Sequence, residues 1–427
     1  MEPRSGAERD RVEQSAPLDE GSRTLTPAGF TEIAGGAGGL VADIGSADRF
    51  GRDHDNAGDI DGDGVTDLIV GARSDDDGPT GADSLTDAGA IYVLFMNENG
   101  TVRENQKISS LEGDFNEPLS AGSFFGYGVA GIGDYDGDGV PDVAVSAPRG
   151  RGGTTDFQPA IYILHLHEDG TVKSSIVSSG IVAQGLSAIG DLDGDGRVDL
   201  VAAQPDAGVA GTIQILFFDE NSEVVQDKTV TIGEGEGGFG TGLVSGDGFG
   251  GRESALLGDL DNDGSPELAV GAFTSDRGVG AIWILSLDSE THEVVDKVKI
   301  APGLQGFDED LVFAENVNGT EGGHFGHALV AAGDLDGDGV PDLVTSANQY
   351  QNGVAYVIYL RSDGSVKTFT RINENEGGFD LSLEENERFG RSMSIVDNAD
   401  GSMTINMGGG AAVRQGGAIY ALDFEFG

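Results

Sequence analysis

Apolar residues in this chain are gathered in short runs that are separated by polar, glycine-rich segments. One kind of run ends in small residues and reads DLIVGAR, DVAVSAP, DLVAAQP, ELAVGAF and DLVTSAN. A second kind reads GAIYVLF, PAIYILH, GTIQILF, GAIWILS, GVAYVIY and GGAIYAL, and it is rich in β-branched and aromatic residues. Runs of this length and composition, without a sustained helical period, predict β-strands. The pattern therefore favours an all-β fold.

The two kinds of run belong to one larger repeat. The repeat opens with Phe-Gly at Phe50, Phe125, Phe249, Phe325 and Phe389, and the third copy has Gln184-Gly185 instead. An acidic heptapeptide such as GDLDGDG follows about eight residues later, before the first apolar run. Most copies end in an Asp-Gly or Asn-Gly hairpin signal and a fourth, more polar strand. Four strands per repeat predict the blade of a β-propeller.

We count six blade cores, so the sequence favours a six-bladed propeller over residues 29–427, with seven blades as the alternative. The sixth core begins at Phe389, and the chain ends after its third strand. The segment Gly29–Gly35 is predicted to add the missing outer strand and so to close the ring without free edges. Residues 1–28 carry no strand pattern and are expected to form a disordered lead-in.

The composition limits the classes of partner that this chain is expected to bind. The 427 residues include 72 glycines, which suits many tight turns, and the net charge is −50. Such an excess of acid argues against nucleic acid and anionic membranes as partners, and it favours cations. Cysteine is absent, so disulfides and zinc-thiolate sites are excluded. No apolar stretch approaches the length of a membrane span, so we expect no direct membrane insertion, and we expect a monomer.

The acidic heptapeptides carry the candidate chemistry. Each reads D-x-D-x-D-G-x-x-[DE], with hard oxygen ligands at alternating positions and a glycine at the sharp turn. The residue at position seven would contribute its backbone carbonyl. Position twelve, where an EF-hand needs Glu, is Val70 in the first copy and Val145 in the second, so these loops are not EF-hands.

We therefore predict five Ca²⁺ ions, one for each loop, in preference to Mg²⁺, which resists an all-protein cage. The alternative is that the loops are only soluble Asp-Gly turns. The segment Asp397–Ser402 of the sixth blade has lost the spacing, and no ion is expected there. The predicted ligands are Asp59, Asp61, Asp63, Val65, Asp67; Asp134, Asp136, Asp138, Val140, Asp142; Asp191, Asp193, Asp195, Arg197, Asp199; Asp259, Asp261, Asp263, Ser265, Glu267; and Asp334, Asp336, Asp338, Val340, Asp342.

The combined pattern in Phe125–Pro148, FGYGVAGIGDYDGDGVPDVAVSAP, resembles the FG-GAP repeat of integrin α-subunit propellers and their bacterial relatives. The resemblance extends from about Phe30 to Gly427. It implies that the calcium loops join the first two strands of each blade on one face, and that ligands use the opposite face. Integrin propellers have seven blades, whereas this chain has six cores and no long insertion, which favours a free-standing bacterial-type module.

The first functional hypothesis is a calcium-stabilised binding or adhesion module, extracellular or on the cell surface, that recognises a protein or glycan ligand. Its ligand face would be the one opposite the calcium loops. Four residues in the long loops of that face are candidates for ligand contact, and the alternative is that they are ordinary solvated side chains. They are Arg73, Arg149, Arg151 and Tyr350.

Two other hypotheses remain open at this stage. One is a propeller-fold polysaccharide lyase or hydrolase, in which His54 and Arg52 line the central channel. No nucleophile signature such as G-x-S-x-G supports an enzyme, and the six histidines share no blade position. The other is a structural scaffold unit of a surface layer.

Overall fold

A computed structural model describes residues 25–45, 47–76, 85–149, 158–206, 210–309, 311, 322–374, 376–380, 382–383, 387–410 and 417–427. These residues form 24 strands and one short helical turn, α1 (Ser275–Gly278). The strands make six antiparallel sheets of four strands each, so the all-β, six-bladed prediction is confirmed.

The strands follow one another in chain order within each of the first five blades. The chain starts with β1 (Leu25–Ala34), which belongs to the last blade. Blade 1 contains β2 (His54–Gly58), β3 (Asp67–Ala72), β4 (Ala90–Met96) and β5 (Val102–Ile108). Blade 2 contains β6 (Val129–Gly133), β7 (Asp142–Ala147), β8 (Ala160–Leu166) and β9 (Val172–Ser179). Blade 3 contains β10 (Gly185–Ala188), β11 (Leu200–Gln204), β12 (Thr212–Leu216) and β13 (Val230–Gly233).

The remaining blades repeat this order. Blade 4 contains β14 (Phe249–Gly258), β15 (Glu267–Ala272), β16 (Ile282–Leu287) and β17 (Val294–Ile300). Blade 5 contains β18 (Phe325–Gly333), β19 (Asp342–Ala347), β20 (Val354–Leu360) and β21 (Val366–Ile372). Blade 6 contains β22 (Met393–Asp397), β23 (Met403–Gly409) and β24 (Ala418–Phe426), and β1 is its outer strand.

The N-terminal strand closes the ring, as predicted. β1 pairs with β24 in antiparallel register, with Ile33 opposite Ile419. The strand begins at Leu25, so the predicted boundary between lead-in and propeller at residue 28 was four residues too late. The reason is that Leu25 lies opposite Phe426 and packs against the apolar cluster between blades 5 and 6. Residues 1–24 of the predicted lead-in lie outside the described part of the chain.

The core lies between neighbouring blades. One apolar cluster joins β-strand residues of blades 1 and 2, including Ile69, Val93, Val143 and Tyr162. All five repeat-opening phenylalanines have 0% exposure. The ring of Phe125 meets that of Tyr162 edge-on at 5.4 Å, and equivalent contacts recur in blades 1, 5 and 6. Complete burial of one such side chain contributes about 1.5–3 kcal/mol, so the repeated Phe is a packing residue.

Candidate functional site

The five acidic heptapeptides all form the turn between the first and second strands of a blade. Equivalent turns of a propeller lie at the same end of the ring, so the five loops share one face. In blades 1, 2, 4 and 5 a β-bulge precedes the loop. The glycine that follows this bulge has a positive φ, for example 81° at Gly58, which turns the chain into the loop.

The acid at position one shapes the loop. In the first copy, the two carboxylate oxygens of Asp59 accept hydrogen bonds from the backbone amides of Asp63 and Gly64, at 3.0 and 2.9 Å. The same two bonds recur in the other four copies, where the acceptors are Asp134, Asp191, Asp259 and Asp334. This carboxylate therefore satisfies loop amides that would otherwise lack a partner.

The acid at position nine is buried and pins the loop to the sheet. Asp67 has 0% exposure, and its oxygens accept the amides of Ile60 in the loop and of Met96 at the end of β4, at 3.0 and 2.9 Å. Asp142 and Asp342 make the same pair of bonds. Burial, then the like charges at positions three and five, raises the pKa of Asp67 to about 6 and those of Asp199 and Asp342 to about 7.

The remaining acids converge on the same space. Carboxylate oxygens of Asp59, Asp61 and Asp67 lie within 4.8 Å of one another, as do those at the same positions in blade 3. In blades 2 and 4 the triad comprises the acids at positions one, three and five. The donor set consists of oxygens, which is the coordination that Ca²⁺ prefers. At position seven, the amides of Val65, Val140, Arg197, Ser265 and Val340 donate to the position-five carboxylates. The residues in these loops therefore fit a hard divalent cation.

Basic side chains that we did not predict lie beside four of the loops. Arg103 pairs with Asp61 and Asp63 of its own blade. Lys173 and Lys367 make the same contacts in blades 2 and 5, at 2.5–2.8 Å, and Lys228 pairs with one acid in blade 3. In sequence, three of the four directly follow the valine that starts the fourth strand, and this repeated Val-Lys or Val-Arg pair was the signal that could have found them.

A histidine also reaches one loop. Nδ1 of His165, on β8, lies 3.0 Å from a carboxylate oxygen of Asp142 and 3.8 Å from one of Asp136. The hydrogen bond to Asp142 raises the pKa of His165. No other blade has a histidine at this position of its third strand, so a search for repeated positions could not identify it.

The predicted ligand-face residues have different surroundings. Arg73 was expected to be exposed, but its exposure is only 5%, because its guanidinium stacks on the ring of Tyr127 from the next blade at 4.0 Å. Arg149 is exposed and lies 3.9 Å from Asp206. Tyr350 is half-buried, with Arg371 5.9 Å from its ring centre. Arg151 lies outside the described residues.

The residue proposed for a catalytic channel is inaccessible. His54 has 1% exposure, and its Nδ1 lies 2.6 Å from the hydroxyl of Ser392 at the junction of blades 6 and 1. Burial lowers the pKa of His54 to about 4. The side chain is therefore neutral and packed between blades, out of reach of a polymeric substrate. Arg52, its predicted partner, lies two residues earlier at the channel end opposite the acidic loops and is half-buried.

Comparison with known proteins agrees with the repeat. The FG-GAP repeat matches residues 56–94, 251–285 and 325–358, and an FG-GAP-like repeat matches residues 134–202. The chain is 27% identical to "Integrin alpha pat-2" of Caenorhabditis briggsae over 70% of its own length and 22% of that protein. It is 28% identical to "Integrin alpha-IIb" of Homo sapiens over 52% of its length and 20% of that protein.

The chain thus spans about a fifth of the length of these curated relatives. Among solved structures, the NanB sialidase of Streptococcus pneumoniae overlaps with 90% of the chain, with 10% identity and a TM-score of 0.46, a similarity too low to bear on function. Within the described residues, no helix has the length and apolar character that a membrane span requires.

Proposed function

Starting from a six-bladed propeller that contains FG-GAP repeats, we propose that this chain is a calcium-stabilised extracellular binding module. Each of its five acidic loops holds one Ca²⁺, and the module recognises a protein or glycan ligand through the face opposite these loops. The propeller, from about residue 25 to 427, acts as one monomeric unit. The relatives named integrin α support a role in adhesion or binding.

One observation carries the calcium proposal. Five turns at equivalent positions repeat the same internal hydrogen bonds, and in four of them three carboxylates cluster within 4.8 Å of one another. Two carboxylates about 4 Å apart repel each other by roughly 4 kcal/mol at an effective dielectric of 20. Each loop collects four acids but contacts at most one or two basic groups among the described residues. A divalent cation would offset the remaining repulsion.

Ion binding would act on the shape of the ring. The position-nine acid links the loop to the third strand of its blade, so a cation on that acid also orders the end of that strand. Blades depend on their neighbours to bury their faces, because each repeat is too small to do so alone. Calcium would therefore stabilise the whole ring, and the loops on the opposite face would be held in fixed positions for ligand recognition.

The test is to measure the bound metal and the stability together. Metal analysis of protein dialysed against Ca²⁺ is expected to give about five ions per chain. If each site gains about 2–3 kcal/mol at saturating calcium, removal should lower the melting temperature by on the order of 10–20 °C. The control is Mg²⁺ at the same concentration and ionic strength, which should restore little of the lost melting temperature.

A melting temperature that is the same with and without calcium would overturn the calcium proposal. Ligand recognition is tested by screening immobilised extracellular proteins and glycans with and without Ca²⁺. Binding that requires calcium supports the module, and the absence of any calcium-dependent ligand would count against it.

A further inference from the structure

Positive charge is concentrated at one place on this acidic protein. The chain has only 24 lysines and arginines against 74 acids. Six of the arginines lie together at the end of the central channel that is opposite the acidic loops. We call this group, with the tyrosine among them, the arginine mouth; it comprises Arg49, Arg52, Arg73, Arg252, Arg388, Arg391 and Tyr127.

The repeat itself assembles the mouth. The first strand of each blade lines the channel, and the residue after Phe-Gly stands where that strand begins. This residue is Arg52 in blade 1, Tyr127 in blade 2 and Arg391 in blade 6, and blade 4 places Arg252 one residue later. A Cβ added to Gly410 would lie 3.3 Å from Cδ of Arg391 and 3.5 Å from Nε of Arg52, so both side chains flank this glycine.

The contacts within the mouth leave donors without partners. The guanidinium groups of Arg73 and Arg252 lie 4.0 and 4.8 Å from the centre of the Tyr127 ring. Arg252 also donates to the carbonyl of Gln184 at 2.8 Å. By contrast, the Nε atoms of Arg73 and Arg391 are buried without a hydrogen-bond partner, and these residues are only 5% and 7% exposed.

The ion pairs among the described residues do not involve the arginines of the mouth. Asp53 and Glu253 lie nearby, but burial raises the pKa of Asp53 to about 8 and that of Glu253 well above its usual value, which disfavours their charged forms. Burial alone would raise the pKa of Tyr127, yet the charges of Arg252 and Arg73 lower it to about 8.

Buried guanidinium groups whose N–H groups lack partners, as in Arg73 and Arg391, are costly for the fold. An anion that enters the mouth would accept their free N–H groups in charge-assisted hydrogen bonds, and guanidinium matches a carboxylate in two-pronged geometry. We propose that the arginine mouth binds an acidic side chain, Asp or Glu, presented by a protein partner. This proposal rests on the proposed ligand face and specifies the chemistry that it recognises.

Two observations favour a single carboxylate on a protein over an acidic polysaccharide. The guanidinium groups of Arg73 and Arg252 already pack against the Tyr127 ring, at 4.0 and 4.8 Å from its centre, and would compete with a sugar for the surface of that ring. The rest of the protein is strongly acidic, and a polyanion longer than the screening length of about 8 Å would be repelled by it. An isolated acidic group on a neutral or basic partner avoids that repulsion.

The experiment observes the guanidinium groups directly. Calcium-loaded protein labelled with ¹⁵N-arginine is titrated with the capped peptide Gly-Gly-Asp-Gly-Gly at constant ionic strength, and the Nε–H signals of Arg73 and Arg391 are assigned from R73K and R391K. These signals are expected to shift saturably with the Asp peptide, and the matched Asn peptide should bind about tenfold more weakly or less. Sulfate and trigalacturonate are run as comparison anions.

A variant pair then separates recognition from folding. Arg73→Met should abolish the shifts at Arg391 while leaving the melting temperature equal or higher, because an unpaired buried charge is removed. Arg361→Met, on the hairpin after β20 at the acidic-loop end, removes the same charge elsewhere and should leave peptide binding unchanged.

Three results would overturn the proposal: no shift with any anion, shifts only with sulfate or trigalacturonate, or peptide binding that survives Arg73→Met. Each leaves the calcium test and the calcium-dependent ligand screen unaffected. A result that contradicts carboxylate binding at the arginine mouth is therefore distinguishable from one that contradicts the proposed function.

Discussion

Gly417 and Phe50 meet at the seam where the last blade closes on the first. A Cβ on Gly417 would lie 2.1 Å from the carbonyl oxygen of Phe50, well inside van der Waals contact. The same approach joins the glycine before the third strand of one blade to the repeat-opening phenylalanine of the next at four other seams. These pairs are Gly89–Phe125, Gly211–Phe249, Gly280–Phe325 and Gly353–Phe389. The glycine before the third strand and the repeat-opening phenylalanine both recur along the chain, and they are therefore the two sides of one contact.

Substitution at this seam should open the ring. Gly417 has φ of 107° and no room for a methyl group, so Gly417→Ala combines backbone strain with a clash against fixed backbone. We expect a loss of about 3 kcal/mol or more in the free energy of unfolding, measured by chemical denaturation. Gly401→Ala is the matched control, because Gly401 has φ of 87° but nothing within 4 Å, and it should cost about 1 kcal/mol. Equal losses for the two variants would show that the close approach is unimportant.

The sequence was sufficient for the fold because every blade repeats its strand pattern and turn residues locally. It did not reveal why the third repeat lacks Phe-Gly. At the seam between blades 2 and 3, Pro159 replaces the usual glycine and Gln184 replaces the usual phenylalanine. The two departures occupy opposite sides of the same seam, although 25 residues separate them in the chain. Only the arrangement of neighbouring blades shows that they belong together.

The acidic loops were equally predictable, because their acids lie within nine residues of one another. The arginine mouth was not, since its members come from blades 1, 2, 4 and 6 and are adjacent only around the channel axis. Arg73 was expected on an exposed loop, but Tyr127 of the next blade covers it. The burial of a long side chain depends on contacts with the neighbouring blade. The sequence pattern of a single repeat does not predict those contacts.

The acids at positions one and nine should respond differently to mutation. Asp342→Asn removes a buried charge but also replaces one of the two oxygens that accept the amides of Leu335 and Leu360 by a donor, so its two effects on calcium-free stability oppose each other. The stability gained from calcium should fall by about 2–3 kcal/mol. Asp334 accepts the amides of Gly337, Asp338 and Gly339, so Asp334→Asn should cost about 1 kcal/mol even without calcium. Urea denaturation with and without calcium measures both effects. Identical behaviour of the two variants would contradict the separate roles.

Blade 4 offers a test of the basic residues beside the loops. Val295 occupies the position on β17 that Arg103, Lys173 and Lys367 hold on their own fourth strands, and it is 59% exposed. Val295→Lys should stabilise the calcium-free protein by up to about 1 kcal/mol, and it should weaken calcium binding at the fourth loop, because the added cation competes for the same carboxylates. Calorimetric titration measures the affinity.

The control is the same substitution on an outer strand far from any acidic loop. Val177 lies toward the opposite end of β9 and is 37% exposed, so Val177→Lys adds the same charge without approaching the carboxylates. It should leave calcium binding unchanged. If both lysines weaken binding alike, the effect comes from net charge and not from the position beside the loop.

The pH dependence of stability should change sign when calcium is added. Without calcium, the folded-state pKa values of Asp67, Asp199 and Asp342, at about 6 to 7, lie above the ordinary value of 3.8 for an unfolded chain. These groups therefore hold protons in the folded chain that the unfolded chain releases, so their contribution is complete below about pH 4 and is lost as pH rises to about 7. Each of these acids accounts for roughly 2 kcal/mol or more of the free energy of unfolding that is lost over this pH range.

With calcium the same protons must be displaced before the ion binds, so the gain in melting temperature from calcium should grow between pH 5 and pH 8. Thermal denaturation of metal-stripped and calcium-saturated protein across this range measures both slopes at constant ionic strength. Asp342→Asn removes one titrating group and should flatten the calcium-free slope in proportion. A calcium-free stability that rises with pH over this range would mean that the buried acids are already ionised and paired in the fold, and the ion would then not be needed to hold them together.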